Sequence, residues 1–239
     1  MNKNVLVTGG AGGLGLAIVK KHLALGDFVW ALDIVDSPGL TEVVRENKNA
    51  RFIKCDISRT EYVKTALADL AASIDKLDYL HSCAGIYRRE DKELLPDTIL
   101  DNAAYMYDVN AVGFLRVVQV MLHTIKDGSV IMCVTSEAGS IGENWRPTEF
   151  NYCMSKAAEN MACVLLQKYF DDMPQNTRII CIHPGWLRTT MGGVDALQNL
   201  ENSVTPEDSA EGIVGIALDI ENIPKERMYM DYKRVDIKW

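Results

Sequence analysis

The chain has 239 residues, of which 48% are hydrophobic and 24% charged, and it carries a formal net charge of -8. This composition is enough to build a sizeable core and excludes a disordered chain. The negative charge repels polyanions, so we expect no nucleic-acid partner. The N-terminus lacks a signal-like pattern and no apolar run approaches the ~20 residues that cross a bilayer, so we expect a cytoplasmic protein with no membrane partner.

Seven apolar segments bounded by Gly, Asp or Pro predict short buried strands, at residues 4–9, 28–33, 51–56, 77–85, 128–136, 177–185 and 227–231. Apolar residues at helical spacing predict helices at 14–26, 59–74, about 98–125, about 149–170 and 205–220. This alternation predicts an α/β fold, a doubly wound parallel sheet with helices on both faces. We expect one domain over residues 1–239.

Five glycines cluster where the first strand turns into the first helix, in "VLVTGGAGGLGLAIV": Gly9, Gly10, Gly12, Gly13 and Gly15. Backbone N–H groups and the positive end of a helix dipole attract a pyrophosphate at such a turn, where side chains would block its approach. The pattern therefore predicts a dinucleotide cofactor, with a purely structural glycine turn as the alternative.

The second strand ends in Asp33, close to the ~20-residue spacing at which an acid accepts hydrogen bonds from the adenosine ribose. Its carboxylate would repel a 2′-phosphate, and no Lys or Arg lies between Thr8 and Val19 to hold one. We therefore expect NAD, with NADP as the weaker alternative. Asp33 could instead cap the following turn, and Asp36 could compete for the ribose.

Tyr152 stands four residues before Lys156 in "NYCMSK". On a helix the two side chains share one face, and the ammonium would lower the pKa of the phenol. The pair could then exchange a proton with an alcohol or a carbonyl. The alternative is a surface helix that carries one aromatic and one charged residue.

These motifs occur in the order found in the short-chain dehydrogenase/reductase family, which the chain resembles over essentially its whole length. The glycine turn is similar to the family's TGxxxGxG, "HPGWLRT" to its PGxxxT, and "SCAG" to its NNAG, with Ser82 and Cys83 in place of two asparagines. The C-factor-like and carbonyl-reductase-like branch is the most similar. The resemblance implies a single Rossmann-type domain and a homodimer or homotetramer, formed through the two long helices.

The resemblance also implies the functional residues. The catalytic set would be Asn110, Ser136, Tyr152 and Lys156. The cofactor set would be Thr8, Gly9, Gly13, Leu14, Gly15, Asp33, Asp56, Ile57, Ala84, Gly85, Tyr152, Lys156, Pro184, Gly185, Leu187 and Thr189. Ser140 and Ser155 compete with Ser136, which we prefer because it follows directly on a strand. Six scattered cysteines and four histidines show no ligand spacing, so we expect reduced thiols and no metal.

The implied reaction interconverts a secondary alcohol and a ketone with NAD. Tyr152 would transfer the proton, Ser136 would orient the substrate oxygen, and Lys156 would lower the pKa of Tyr152 and hold the nicotinamide ribose. Asn110 would hold a water beside Lys156, unless it is a helix-interior residue satisfied by backbone.

Two other functions remain open from the sequence. One is a regulatory or signalling protein that binds NAD(H) with little turnover. The other is an NAD-dependent epimerase, which the GxxGxxG spacing of Gly9, Gly12 and Gly15 permits, although the short segment after "HPGWLRTTMGG" leaves little room for a sugar-nucleotide domain.

The substrate is a small molecule whose identity the sequence leaves open. The segment 137–151 could wall its pocket with Glu143, Trp145 and Arg146. An apolar surface could come from Tyr87, Trp186 and Met191, and an anion contact from Arg88 and Arg89, for which an exposed charge pair is the alternative.

Overall fold

The structure of the chain is a computed structural model that describes residues 2–239, without the side chains of residues 91 and 92. Seven strands form one parallel sheet in the order β3-β2-β1-β4-β5-β6-β7. They are β1 (Asn4–Thr8), β2 (Phe28–Asp33), β3 (Ala50–Lys54), β4 (Tyr79–Ser82), β5 (Val130–Val134), β6 (Arg178–His183) and β7 (Tyr229–Asp231). Each lies within a predicted strand segment or overlaps it closely, and the doubly wound parallel fold is confirmed.

Eight α-helices cover the sheet: α1 (Gly13–Ala24), α2 (Pro38–Glu46), α3 (Thr60–Ser73), α4 (Ala103–Tyr107), α5 (Gly113–Met121), α6 (Phe150–Asp171), α7 (Gly193–Gln198) and α8 (Pro206–Leu218). The sequence did not predict α2 or α7. For α2 a signal exists, because Ser37 accepts a hydrogen bond from the Leu40 N–H at 3.1 Å and Pro38 occupies the first turn. None of the described helices is both long and apolar enough to cross a membrane.

The sheet separates two apolar cores. Along β1, Val5 and Val7 pack into one core with Ile18 of α1 and Val214 of α8. Leu6 points to the opposite face and joins the other core, which contains residues of α3, α5 and α6. This alternation follows from the two-residue period of a strand, and burial on both faces explains why the strands read as continuous apolar runs.

The predicted helix at 98–125 is confirmed as one unbroken helical stretch over residues 100–124, but its hydrogen-bonding pattern changes along its length. A 3-10 turn at Leu100–Asn102 leads into α4, a π-helical turn follows at Asp108–Val112, and α5 ends in another 3-10 turn at Leu122–Thr124. The π-helical turn contains Asn110, whose side chain bonds the backbone of a neighbouring segment. Such turns insert one extra residue into a helix and re-aim a side chain. By contrast, α6 matches its predicted range within one residue at each end.

Candidate active site

Two adjoining cavities open at the carboxyl ends of the strands, where parallel α/β sheets bind ligands. The first, of about 440 Å³, lies over the ends of β1 to β5. The second, of about 510 Å³, lies between the segments that follow β5 and β6. Tyr152 lines both cavities. The phenol therefore stands where a molecule in one cavity meets a molecule in the other.

The glycine turn forms one wall of the first cavity. A Cβ on Gly15 would lie 2.0 Å from the Gly9 carbonyl oxygen, so this position admits no side chain. A Cβ on Gly12 would meet no atom within 4 Å. The backbone at Gly12 is therefore open for a ligand to approach. Thr8 is fully buried and accepts a hydrogen bond from the Ala84 N–H at 3.1 Å, so it ties β1 to the chain after β4 and does not line the cavity.

Asp33 lines the first cavity at the end of β2. One carboxylate oxygen accepts from the Ala11 N–H at 2.9 Å and the other from the Val35 N–H at 3.3 Å. Asp33 therefore braces the glycine turn and also caps the turn after β2, which was the alternative to ribose binding. Asp36 is exposed and does not line the cavity. Among the described residues that line it, Lys156 is the one basic side chain.

Most other residues of the expected cofactor set line the same cavity, namely Gly9, Gly13, Leu14, Gly15, Asp56, Ile57, Ala84, Gly85, Pro184, Leu187 and Thr189. Gly185 lies in the wall of the second cavity instead. Its φ is +80°, and a Cβ there would lie 2.8 Å from the Val204 side chain. Only glycine suits this turn.

Lys156 is buried beside Tyr152. Its ammonium nitrogen lies 5.9 Å from the centre of the Tyr152 ring and donates to the Val134 carbonyl at 3.1 Å and to Glu159 at 2.7 Å. Burial lowers the pKa of Lys156, but the carboxylate of Glu159 outweighs it, and the pKa lies well above its ordinary value. Lys156 is therefore an ammonium throughout the neutral range.

The Tyr152 phenol has a raised pKa. Burial raises it, while the Lys156 ammonium and a hydrogen bond with Ser136 lower it without cancelling the effect of burial. The influence expected of Lys156 is present, but its net result is not a lowered pKa. In this structure Tyr152 is a neutral phenol and therefore a proton donor.

Ser136 lines the second cavity. Its hydroxyl donates to Glu137 at 2.8 Å and accepts from the Ala138 N–H at 3.1 Å. The competing serines have other partners: Ser140 donates to the Lys238 carbonyl at 2.6 Å, and Ser155 donates to the Tyr152 carbonyl at 2.8 Å. Of the three serines, Ser136 is thus the one that lines a cavity.

Asn110 is fully buried and lines neither cavity. Its amide oxygen accepts from the Ile86 N–H at 2.7 Å, and its NH₂ donates to the Ile86 carbonyl at 3.0 Å and to Ser155 at 2.9 Å. These contacts match the alternative of a residue satisfied by backbone, and the water-holding role of Asn110 stays a prediction. Asn110 fixes the chain after β4 against the π-helical turn and α6.

A chain of charged groups forms one wall of the second cavity. The sequence predicted a pocket wall in the segment 137–151 that includes Arg146, but not the roles of Glu137, Glu149 and His183. Glu137 pairs with Arg146 and lies 2.8 Å from His183 Nδ1, while Arg146 Nε lies 2.8 Å from Glu149. Tyr87 donates to Glu149 at 3.0 Å. Burial opposes ionisation of Glu137, but His183 and Arg146 outweigh it and hold the pKa of its carboxyl well below the usual range. Glu137 and Arg146 therefore form an ion pair within this wall, and its contacts fix its side chains.

The sequence contained a signal for two of these residues, since Glu137 directly follows Ser136 and His183 directly precedes Pro184. Of the residues expected to wall a substrate pocket, those that line the second cavity are Tyr87, Arg89, Trp145, Arg146, Trp186 and Met191. Glu143 instead pairs with Lys238, and Arg88 lies over the Tyr105 ring. Among the described residues, no group of three His, Cys, Asp or Glu side chains is arranged to hold a metal ion.

Comparison with known proteins gives a family to which this geometry corresponds. The model of the family described as short chain dehydrogenase matches residues 3–199. The chain belongs to this short-chain dehydrogenase family.

Among curated proteins, the chain is 32% identical over 147 residues to the C-signal of Myxococcus xanthus. The aligned residues cover 61% of this chain and 83% of that protein. It is 26% identical over 171 residues to the 1-hydroxy-2-glutathionyl-2-methyl-3-butene dehydrogenase of a Rhodococcus species, covering 72% of this chain and 71% of that enzyme.

Solved structures of short-chain dehydrogenases share the fold. The carbonyl reductase Sniffer of D. melanogaster aligns over 100% of both chains with a TM-score of 0.86 at 21% identity. A carbonyl reductase from Pseudomonas aeruginosa, in complex with NADP, aligns over 100% of both chains with a TM-score of 0.81 at 23% identity. As a short-chain dehydrogenase, the chain is an oxidoreductase of a family that uses nicotinamide cofactors.

Proposed function

We propose that the protein is an NAD-dependent oxidoreductase that interconverts a ketone and a secondary alcohol, with Tyr152 as the acid/base group. One observation carries the proposal: Tyr152 lines both cavities and has the Lys156 ammonium beside it. A proton donor is needed where cofactor and substrate meet, and this is the position of the phenol.

The residues of the first cavity fit a nicotinamide dinucleotide. The open backbone at Gly12 and the start of α1 would receive the pyrophosphate, and Asp33 would accept from the adenosine ribose. Lys156 would donate to the nicotinamide ribose. The cofactor, when bound, supplies or accepts the hydride at the reacting carbon.

We infer a preference for NAD over NADP. The Asp33 carboxylate would repel a 2′-phosphate. Among the described residues that line this cavity, Lys156 is the one cation, and it lies beside Tyr152 at the other end of the cavity. The carbonyl reductase of the same fold from Pseudomonas aeruginosa is in complex with NADP, which is the observation in favour of the other cofactor. NADP is therefore the alternative that the cofactor experiment below tests.

The protonation states favour carbonyl reduction. A neutral, buried Tyr152 donates its proton to the carbonyl oxygen as the carbinol forms. Ser136 would turn its hydroxyl from Glu137 to the same oxygen and so fix the substrate's orientation. The ion pair of Glu137 and Arg146 in this wall would exclude a purely apolar substrate from that side, because covering charged groups with hydrocarbon is costly.

We further propose a homodimer built on α6. Four large side chains stand exposed along this helix: Met154, Met161, Leu165 and Tyr169. Residues 161, 165 and 169 follow at i+4 spacing and so form one stripe. An apolar stripe of this kind on an enzyme's surface is typical of an interface.

The test follows NADH or NADPH absorbance during incubation with a panel of ketones and aldehydes, with wild type beside Tyr152→Phe. Binding of each cofactor is measured in the same samples by fluorescence. The proposal expects NADH-dependent turnover that Tyr152→Phe lowers by at least ~100-fold, with cofactor binding retained.

Equal turnover in the two proteins would overturn the role of Tyr152. A preference for NADPH would overturn the role of Asp33. Tight NADH binding without turnover on any carbonyl would favour the alternative of a regulatory or signalling protein. The similarity to the C-signal also supports that alternative.

A further inference from the structure

We propose that Glu159 is a positioning residue that fixes the Lys156 side chain and holds it as an ammonium beside Tyr152. The consequence for catalysis rests on the proposed function, because it assumes that Tyr152 transfers the proton. The electrostatic claim itself concerns only this chain's own side chains. It can therefore be tested without cofactor or substrate.

The geometry of Glu159 is unusual for a carboxylate. Its side chain is fully buried on α6, one turn after Lys156, and one oxygen accepts from the Lys156 ammonium at 2.7 Å. The other oxygen accepts from the Cys133 thiol of β5 at 3.1 Å. Glu residues are almost never fully buried unless they are paired. Both oxygens here have partners, and one partner is the lysine at the centre of the candidate active site.

This arrangement fixes the direction of the Lys156 side chain. An ammonium has three N–H donors, and two of them are directed to Glu159 and to the Val134 carbonyl. A lysine stem has several rotatable bonds, so these two contacts remove much of its freedom. The third donor is then available to a ribose hydroxyl in the first cavity.

The pair also sets the electrostatic field at Tyr152. Lys156 favours the phenolate, whereas the negative charge of Glu159 opposes it and so offsets part of the influence of Lys156. Without Glu159, burial would lower the pKa of Lys156, and the ammonium would be lost as pH rises. The charge of Lys156 acts on Tyr152 more strongly than that of Glu159, so the phenol would then release its proton at higher pH and be a weaker acid for carbonyl reduction.

The surroundings contain few groups that compete with this pair. The neighbouring thiols are Cys83 after β4, Cys133 on β5, Cys163 on α6 and Cys181 on β6. Burial raises the pKa of each thiol, so all four are neutral at physiological pH.

On the cavity side, Glu137 after β5 also opposes ionisation of Tyr152, and Ser136 favours it through a hydrogen bond. Glu137, however, contacts Arg146 and His183, so its charge interacts mainly with these two side chains. Glu159 is thus the carboxylate that acts directly on the Lys156 ammonium.

The experiment titrates Tyr152 by ultraviolet difference spectroscopy. Tyrosinate absorbance is followed against pH in each protein and in its Tyr152→Phe counterpart, and the difference isolates Tyr152 from the other tyrosines. The backgrounds are wild type, Glu159→Gln and Glu159→Asp. Asp171→Asn is the matched control, because it removes a carboxylate from the far end of the same helix.

We expect Glu159→Gln to move the Tyr152 midpoint up by about one pH unit, because the phenol loses the neighbouring Lys156 cation and an effect of that size is typical of a neighbouring charge. Glu159→Asp keeps the charge and should restore most of the wild-type midpoint. Asp171→Asn should leave it unchanged. A folded Glu159→Gln protein with a wild-type midpoint would overturn the proposal, even if its melting temperature were lower, since a merely structural role predicts that result.

A second measurement applies if Glu159→Gln does not fold. Carboxyl-labelled glutamate is incorporated into wild type and into Glu159→Asp, and the ¹³C resonance that disappears from the variant belongs to Glu159. The proposal expects that resonance at the position of an ionised carboxylate at neutral pH. A protonated carboxylic acid there would overturn it. Neither measurement uses turnover, so an enzyme inactive on every carbonyl would contradict the proposed function and leave this result standing.

Discussion

Substitution by alanine should have different effects at two glycines of the same turn. Gly15→Ala should mainly lower stability, and Gly12→Ala should mainly lower cofactor affinity. A Cβ on Gly15 would lie 2.0 Å from the Gly9 carbonyl oxygen, which is backbone and has little room to move. Overpacking of this kind costs about 3 kcal/mol, and replacing glycine within a helix returns about 1 kcal/mol. The net loss of about 2 kcal/mol should lower the melting temperature of a chain of this size by about 4–8 °C.

Gly12→Ala is the matched counterpart. Gly12 precedes α1 with extended backbone, and a Cβ there would meet no atom within 4 Å. The melting temperature should therefore fall by no more than about 3 °C. NADH affinity should nevertheless drop at least tenfold, or about 1.4 kcal/mol, because the methyl group would stand where the pyrophosphate approaches.

Thermal denaturation followed by circular dichroism gives the stabilities, and NADH fluorescence titration gives the affinities. Wild-type affinity in Gly12→Ala would refute the placement of the pyrophosphate at this turn. A wild-type melting temperature in Gly15→Ala would refute the steric argument for the turn itself.

Three further changes test the cofactor preference, the charged wall and the assembly. Asp33→Asn should raise NADPH affinity relative to NADH by roughly tenfold, because a carboxylate facing the ribose is removed; an unchanged ratio from fluorescence titrations would contradict this. Glu137→Gln should lower stability near neutral pH by about 1 kcal/mol, since hydrogen bonds to a charged group are lost. Because the pKa of Glu137 is depressed by folding, the wild type's advantage is complete above the ordinary carboxyl range of about pH 4 and is lost as pH falls below it. Denaturation melts that show a constant gap across that range would count against an ionised Glu137. Met161→Glu should make the protein sediment as a monomer if α6 forms the dimer interface, whereas a dimeric variant would place the interface elsewhere.

The sequence predicted the sheet well because buried parallel strands leave a strong pattern. The central strands β1, β4, β5 and β6 are buried on both faces, so they appear as apolar runs that end at Gly, Asp or Pro. The glycine turn was equally readable, since the close approach at Gly15 excludes every other residue. Most of the residues expected around the cofactor do line one cavity, because the carboxyl ends of the strands meet at a single edge.

The π-helical turn within the helix at 98–125 could not be predicted from apolar spacing. It contains Asn110, whose partner Ile86 lies 24 residues earlier in the chain. Apolar periodicity continues across the π-helical turn and conceals the extra residue. The role of the Asn110 side chain likewise followed from a tertiary contact that the local sequence does not show.

The burial of Glu159 could not be predicted from the sequence for a different reason. Its spacing from Lys156 is visible as "KAAE", but a Glu on an amphipathic helix is ordinarily assigned to solvent. Only the packing of α6 against β5 places that carboxylate in the interior, against Cys133. Helical periodicity gives the neighbours along a helix, whereas burial of a charge depends on what covers it.

The central claim is that Tyr152 donates a proton while hydride passes from a nicotinamide cofactor to a carbonyl carbon. The most direct test supplies NADH deuterated at the transferable position of C4, together with a carbonyl substrate found in the panel, and measures deuterium in the product by mass spectrometry. The account predicts one deuterium on the carbinol carbon with wild type and almost no product with Tyr152→Phe. Product without deuterium, or labelled product formed equally fast by Tyr152→Phe, would contradict it.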